Sequence, residues 1–158
     1  MVTEKKNKNE TLPLLEVRNL HTYFYTADGV VKAVDGVDLD VFPKKTLGIV
    51  GESGCGKSIT TKSILRLIDN PGKIIEGKMN LYDKTHENSQ DIAKLNNQEL
   101  KKVRGGRISM IFQEPMTSFS PIHTVGNQIT EAIRLHLDYE TNEAMELAED
   151  WLIRVGMN

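Results

Sequence analysis

The sequence of 158 residues predicts an α/β fold organised around one glycine-rich loop. Residues 51–58 read Gly-Glu-Ser-Gly-Cys-Gly-Lys-Ser, and they fit the pattern G-x-x-x-x-G-K-[ST] at every fixed position. The short apolar run 46–50 before the loop predicts a buried strand, and residues 57–68 after it predict a helix. A second apolar run, residues 107–112, predicts another buried strand, parallel to the first.

The residue types of the loop explain how it would bind phosphate. Gly51, Gly54 and Gly56 allow main-chain conformations closed to other residues, so that consecutive N–H groups can converge on one anion. These donors and the positive end of the helix dipole favour a β-phosphate. Lys57 can reach the β- and γ-phosphates, and the Ser58 hydroxyl can bind Mg²⁺. Because a strand precedes the loop and a helix follows it, we prefer nucleoside triphosphate binding to an incidental glycine-rich turn.

Composition and charge narrow the class of protein further. The apolar fraction of 39% and charged fraction of 27% are those of an ordinary soluble globular protein of about one domain. The formal charge of -2 gives no general attraction to nucleic acid or acidic lipid. The sequence has no run of 18 apolar residues, so a membrane role would have to come through a partner. Residues 1–10 are polar and predict a frayed tail.

The single cysteine, Cys55, excludes an intrachain disulfide and suits a reducing cytoplasm. It occupies a free position of the loop motif, where a small residue is tolerated in a tight turn. A redox role is the alternative, because a helix N-terminus lowers the pKa of a thiol. Alkylation of Cys55 is predicted to block nucleotide binding by steric bulk.

An antiparallel β layer is predicted ahead of the loop. Asp28-Gly29 is a strong hairpin signal, and further on residues 37–41 alternate between apolar and acidic side chains until Pro43. The predicted strands of this layer are residues 14–17, 19–25, 30–34 and 37–41. Tyr23, Phe24 and Tyr25 can be core residues, or one of them can stack on a nucleotide base, and the sequence does not choose between these roles.

The chain after the first helix divides into strand, loop and helices. Residues 74–82 predict a strand, 83–90 a polar loop, and 96–104 a short helix that Gly105-Gly106 stops. The basic residues at the end of that helix indicate a solvated helix end rather than a nucleic-acid site. From Val125 onward, apolar residues recur at helical spacing in two segments. The four histidines show no metal-ligand spacing.

Gln113 follows the second predicted buried strand. In open α/β sheets, ligands lie at the carboxyl ends of the strands, so we expect Gln113 near Ser58 at one edge. A glutamine there can bind Mg²⁺ or position a water molecule, and Glu114 is a weaker candidate for polar chemistry. The alternative is a polar residue that merely marks the exit of a strand.

Taken together, these segments resemble the N-terminal part of an ATP-binding-cassette (ABC) ATPase. More narrowly, the chain is similar to the ATPase subunits of bacterial oligopeptide and dipeptide importers, a group close to nickel importers. The loop alone identifies only the superfamily, and the segment around residues 111–116 is far more specific. The matching segments are residues 15–20, 31–37, 47–58, 103–118 and 125–129.

The resemblance implies a role for each candidate residue toward ATP and Mg²⁺. Phe24 would stack on adenine, with Tyr23 and Tyr25 as neighbours if the alignment slips. Gln113 matches the Q-loop glutamine, which contacts Mg²⁺ together with Ser58 and positions the attacking water. The catalytic set is incomplete, with Lys57 stabilising phosphate charge. The residues expected to hold the triphosphate are Gly51, Glu52, Ser53, Gly54, Cys55, Gly56, Lys57, Ser58 and Ile59.

The resemblance also implies domains, partners and location. Residues 1–13 would be a polar tail, 14–122 the N-terminal part of the ATPase core, and 123–158 the beginning of a helical subdomain. The groove between that subdomain and the Q-loop would receive transmembrane permease subunits. A second ATPase subunit would complete a dimer at the cytoplasmic face of the membrane.

The sequence departs from the family at several points. Lys44-Lys45 and Phe119-Ser120 replace residues usual in the family. The signature, the Walker B aspartate, the catalytic glutamate and the switch histidine have no counterpart in the 158 residues, which predicts a fragment of an ATPase that is inactive alone. The alternatives are a non-hydrolysing nucleotide-binding module that docks on the transporter, and a different P-loop enzyme. An Asn-Lys-x-Asp guanine-reading motif is absent, which disfavours a GTPase.

Overall fold

A computed structural model describes residues 12–83, 85–113 and 119–157. The described chain divides into two compact units, Met1–Asn97 and Gln98–Asn158, and each is considered by itself. The predicted tail, residues 1–10, lies outside the described residues, as do Glu114 and residues 115–118.

The first unit contains an antiparallel sheet in the order β2-β1-β3-β4 among the described residues. Strand β1 pairs with β2 through a two-residue connection, because Thr26 and Gly29 are register partners. The predicted antiparallel layer and its Asp28-Gly29 turn are therefore confirmed. The strand bounds are β1 Leu15–Thr26, β2 Gly29–Val41, β3 Gly72–Tyr82 and β4 Ser89–Asp91.

The core of the first unit lies on one face of this sheet. Val17 and Leu20 of β1 are both fully buried although they are three residues apart, an odd spacing for a strand. The register shifts between them, where Asn19 has a φ of 51°, and this irregularity returns Leu20 to the core face. Met79 of β3 is the register partner of Val17 and is also fully buried.

Helix α1, Lys57–Ile64, is shorter than the predicted helix 57–68. It ends because Arg66 adopts a left-handed conformation, with a φ of 54°, and the N–H of Leu67 donates to the carbonyl of Lys62. The Arg66 guanidinium donates to the carbonyl of Leu95 at 2.5 Å, which holds this turn against the next segment. That segment, Ile92–Lys94, is a single 3₁₀ turn.

The predicted helices from residue 96 and from Val125 onward are present in the structure. Thr124 caps α3 by accepting from the N–H of Asn127 at 3.2 Å, and Glu140 and Glu143 form a capping box at the start of α4. Gly105 has a φ of 80° just beyond α2, as expected for the glycine that stops a helix. The helices are α2 Asn97–Val103, α3 Val125–His136 and α4 Thr141–Arg154.

The prediction of two buried parallel strands is wrong for the described residues. Residues 46–50 and 108–112 are extended or irregular without a strand ladder, and Val50 and Ile111 are 93% and 97% exposed. Among the described residues, the second segment forms a single bridge, between Arg104 and Ile108. An apolar run forms a strand only where a neighbouring strand satisfies its N–H and C=O groups, and neither segment pairs with a strand among the described residues. The predicted loop 83–90 is also shorter, because β4 begins at Ser89.

Candidate functional site: a phosphate loop

A tight turn opens the glycine-rich loop. The N–H of Cys55 donates to the carbonyl of Glu52 at 3.3 Å, which closes a four-residue turn. Gly54 occupies the third position of this turn with a φ of 82°, a conformation that favours glycine. The conformation of this turn therefore explains why the motif has glycine at position 54.

Gly56 fixes the start of α1 against the sheet. It is the residue before the helix, and its φ of 96° lies in the left-handed region. A Cβ at this position would lie 2.2 Å from the main-chain oxygen of Ala33 on β2. The carbonyl of Gly56 also accepts from the N–H and the hydroxyl of Thr60, at 2.8 and 3.0 Å. Only glycine fits here, because both the backbone conformation and the close approach of β2 exclude a side chain.

The side chain of Lys57 folds back over the loop. Its ammonium group donates to the carbonyl oxygens of Gly51 at 2.8 Å and Glu52 at 2.6 Å. The sulfur of Cys55 lies 3.6 Å from the same nitrogen. These neutral acceptors hold the ammonium group beside the loop without neutralising its charge, so an anion can still be bound there.

Several main-chain donors of the loop remain free. Among the described residues, the N–H groups of Gly54, Gly56, Lys57 and Ser58 have no acceptor. The loop is exposed around them, and Ser58 itself is exposed in the first turn of α1. Free donors at a helix start, beside an ammonium group, are the arrangement that binds phosphate. The residues present therefore fit a polyphosphate group.

Cys55 lies in the wall of the loop. Its side chain is exposed, and a Cβ placed on Gly51 would lie 2.5 Å from its sulfur. The thiol thus fills the space that the missing side chain of Gly51 leaves. A group added to the sulfur would therefore lie beside the ammonium group of Lys57.

The three aromatic residues of β1 have different surroundings. Phe24 is half-buried, and its ring lies against Gly72, as does the side chain of Ile68. Tyr25 is 46% exposed, with the ammonium group of Lys73 5.8 Å from its ring centre. Because side chains alternate along a strand, Phe24 lies on the opposite face from its two neighbours.

Tyr23 belongs to a polar cluster on its own face of the sheet. Its hydroxyl donates to Asp35, and the ammonium group of Lys32 lies 5.2 Å from its ring centre. The hydrogen bond to Asp35 raises the pKa of Tyr23. The same bond, with the charge of Lys32, holds the pKa of Asp35 below its ordinary value although desolvation opposes the shift. Tyr23 is therefore engaged with side chains of β2.

Gln113 lies in the second unit, exposed and outside any helix or strand. Lys57 and Ser58 lie in the first unit. The expected approach of Gln113 to Ser58 thus remains a prediction.

The sequence did not predict how α1 is attached to the sheet. Thr22 of β1 and Ser63 of α1 are both fully buried, with their side-chain oxygens 2.7 Å apart. The available signal was positional: Thr22 stands two residues after Leu20 on the core face, and Ser63 adjoins the buried Ile64. A hydroxyl at a predicted core position indicates a buried hydrogen bond, but the sequence does not show which residue is its partner.

A loop closed by its own lysine, and joined through glycine to a helix docked on a sheet, defines the P-loop class of proteins. The family described as ABC transporter matches residues 34–158 of this chain. The chain belongs to that family, which confirms the resemblance and excludes the alternative of a different P-loop enzyme. Among the described residues, no helix is both long enough and apolar enough to span a bilayer.

Curated relatives agree with this assignment. The probable peptide ABC transporter ATP-binding protein y4tR of Sinorhizobium fredii is 45% identical over 140 residues, which cover 88% of this chain and 40% of that protein. The oligopeptide transport ATP-binding protein AppD of Bacillus subtilis is 44% identical over 146 residues, covering 92% of this chain and 43% of AppD. The chain thus spans about two-fifths of the length of these relatives.

Solved structures agree on the fold. The ATP-binding cassette MJ0796, in a dimeric structure bound to ADP and Pi, superposes with a TM-score of 0.69. It is 21% identical in sequence, and the match covers 88% of this chain and 56% of that one. The predicted fold class, an α/β P-loop core of the ABC type with an antiparallel layer and the start of a helical subdomain, is confirmed at the level of fold.

Proposed function

We propose that this chain is the ATP-binding part of a bacterial ABC importer for oligopeptides or dipeptides. The observation that carries the proposal is the set of free main-chain donors at Gly54, Gly56, Lys57 and Ser58, beside the folded-back ammonium group. The named activities of the relatives y4tR and AppD, at 45% and 44% identity, support peptides as the transported substrate.

Different groups of the loop would bind different phosphates of the triphosphate. The N–H groups of residues 54–58 would bind the β-phosphate, since they lie at the positive end of the α1 dipole. Lys57 would exchange the carbonyls of Gly51 and Glu52 for the β- and γ-phosphate oxygens, because a charged acceptor forms the stronger hydrogen bond. The charge that Lys57 brings would then stabilise the transferring phosphoryl group.

Ser58 and Gln113 would hold the metal ion. Both offer an uncharged oxygen ligand, and both side chains are exposed. Mg²⁺, when bound there, would neutralise part of the phosphate charge. Gln113 would in addition orient the water that attacks the γ-phosphate. This role requires Gln113 to approach the loop, so it is part of the proposal.

Phe24 is our candidate for the adenine platform. It is half-buried, which leaves part of the ring open for stacking, whereas the Tyr23 hydroxyl is engaged with Asp35. An aromatic ring offers a flat apolar surface to any base. Tyr25, the more exposed neighbour, is the competing position.

The partners would be permease subunits and a second ATPase subunit at the cytoplasmic face of the membrane. The permease would contact the Q-loop around Gln113 and the helical subdomain, residues 123–158. Hydrolysis needs groups on both sides of the γ-phosphate. We therefore expect ATP hydrolysis from the assembled transporter and none above background from the 158 residues alone.

Calorimetric titration of the 158-residue chain with Mg-ATP tests the proposed function. We expect saturable binding that Lys57→Ala weakens about tenfold or more, because one charge-assisted hydrogen-bonding group is lost. Lys62→Ala is the matched control, since Lys62 lies in the last turn of the same helix. Absence of binding by folded, unaltered chain, or equal losses in the two variants, would contradict the proposal.

A further inference from the structure

Two hydroxyl groups meet in the interior between β1 and α1. Thr22 and Ser63 are 0% exposed, and their oxygens lie 2.7 Å apart. Their surroundings are apolar: Val34 is the register partner of Thr22 on β2, and Ile64 follows Ser63 on the buried side of α1. A buried hydroxyl in such a place needs a hydrogen-bond partner, and Ser63 is the partner of Thr22.

The direction of this hydrogen bond follows from a third group. The Ser63 hydroxyl lies 2.7 Å from the carbonyl oxygen of Ile59, to which it donates. A hydroxyl carries one proton, so Ser63 must accept from Thr22. The resulting chain of bonds runs from Thr22 through Ser63 to the carbonyl of Ile59. It ties β1 to the first turn of α1, next to Ser58.

A second attachment holds the same turn on the neighbouring strand. Gly56 packs against the main-chain oxygen of Ala33 on β2, and Thr60 donates to the carbonyl of Gly56. Helix α1 is eight residues long, and its buried residues are Thr60, Ser63 and Ile64. The orientation of so short a helix depends on few contacts. The hydrogen bond between Thr22 and Ser63 is one of these contacts, and it fixes a direction because it is a hydrogen bond rather than an apolar contact.

We propose that the Thr22–Ser63 pair positions the phosphate loop for its anion. By fixing α1 on β1, it holds the N–H groups of Gly56, Lys57 and Ser58 in their binding arrangement before the anion arrives. Donors fixed in advance lose less conformational entropy on binding, so they bind more tightly. This inference rests on the proposed function, because it requires a polyphosphate at the loop.

Four variants of the 158-residue chain separate positioning from simple packing. Ser63→Ala leaves the Thr22 hydroxyl buried without an acceptor, whereas Thr22→Val leaves Ser63 bonded to Ile59 and loses only the link to β1. The double variant, Thr22→Val with Ser63→Ala, loses the hydrogen bond between β1 and α1 and leaves no buried hydroxyl without a partner. Thr22→Ser keeps the hydroxyl and loses one methyl group.

The measurement is the Kd for magnesium pyrophosphate, well below the thermal midpoint of each variant. We expect the Kd to rise about fivefold in Thr22→Val and in the double variant, about tenfold or more in Ser63→Ala, and not in Thr22→Ser. A control, Thr130→Val, removes another buried threonine hydroxyl, in the second unit, and should leave the Kd unchanged.

Each outcome decides the inference. A lower thermal midpoint with an unchanged pyrophosphate Kd in Thr22→Val would overturn it, because that result describes packing alone. If Ser63→Ala does not fold, the comparison of Thr22→Val with Thr22→Ser decides in its place. If the folded, unaltered chain binds no pyrophosphate, the proposed function is contradicted and the inference falls with it. Equal binding by all variants overturns only the inference.

Discussion

The α-carbon of Gly56 packs against the main-chain oxygen of Ala33, so closely that a Cβ on Gly56 would lie 2.2 Å from that oxygen. The contact joins the residue just before α1 to β2. It gives the third glycine of the loop a packing role besides its conformational one. The antiparallel sheet and the phosphate loop therefore form one structural unit.

Replacement of Gly56 by alanine should destabilise the first unit strongly. The substitution combines a φ of 96° with a clash against main chain, which cannot move without β2. We expect the free energy of unfolding to fall by about 2–4 kcal/mol, measured by urea denaturation. Gly54→Ala is the control: its φ of 82° is unfavourable but its surroundings are open, so we expect a loss of about 1 kcal/mol. Equal losses would argue against the contact with Ala33.

Alkylation of Cys55 should abolish the binding of Mg-ATP. The thiol is exposed and so accessible to iodoacetamide, and it lies between Gly51 and the ammonium group of Lys57. The added group would occupy the loop. Cys55→Ala should bind nucleotide like the unaltered chain and become insensitive to the reagent. Unchanged affinity after complete modification, verified by mass spectrometry, would show that the thiol lies outside the binding site.

Asp35 should titrate at unusually low pH. The Tyr23 hydroxyl, and then the charge of Lys32, hold the pKa of this carboxyl below its ordinary value. A lowered folded-state pKa stabilises the fold above the unfolded pKa of about 3.9, and this contribution disappears as the pH falls through the folded pKa. Carbon-13 NMR of the carboxyl group should show the lowered midpoint. Tyr23→Phe should raise that midpoint, whereas Tyr25→Phe, on the same face of β1, should not. A midpoint insensitive to Tyr23→Phe would rule out the hydrogen bond as the cause.

Truncation of Leu20 should reveal the core of the sheet. The residue is fully buried, so Leu20→Ala removes apolar contacts and leaves a cavity. We expect the free energy of unfolding to fall by about 2–5 kcal/mol in urea denaturation. Val30→Ala, in the same hairpin but at a site 54% exposed, should cost about 0.5 kcal/mol or less. A small effect at Leu20 would contradict the assignment of this face as the core.

Local signals in the sequence predicted the elements that local chemistry decides. The Asp28-Gly29 pair marked the hairpin, the alternation after it marked β2, and the glycine pattern marked the phosphate loop. Helices α3 and α4 followed from the 3.6-residue period. In each case, the residues on which the prediction rested are the same residues that form the turn, strand, loop or helix.

The errors arose where structure depends on distant partners. Residues 46–50 and 107–112 have the composition of buried strands, yet a strand needs a neighbouring strand to pair with, and neither segment pairs with one among the described residues. Helix α1 ends early because Arg66 adopts a left-handed conformation that no propensity favours. The buried bond between Thr22 and Ser63 spans 41 positions of sequence, and a single sequence does not show such a pairing.

The central claim is that free main-chain donors of the loop bind a polyphosphate, and amide NMR measures this directly. Nitrogen-15-labelled chain would be titrated with Mg-ATP while the N–H resonances of Gly54, Gly56, Lys57 and Ser58 are followed. We expect these four resonances to shift downfield together and to saturate at one Kd, which Lys57→Ala raises. Saturable binding that leaves these four amides unmoved, or no binding by folded chain, would contradict the claim.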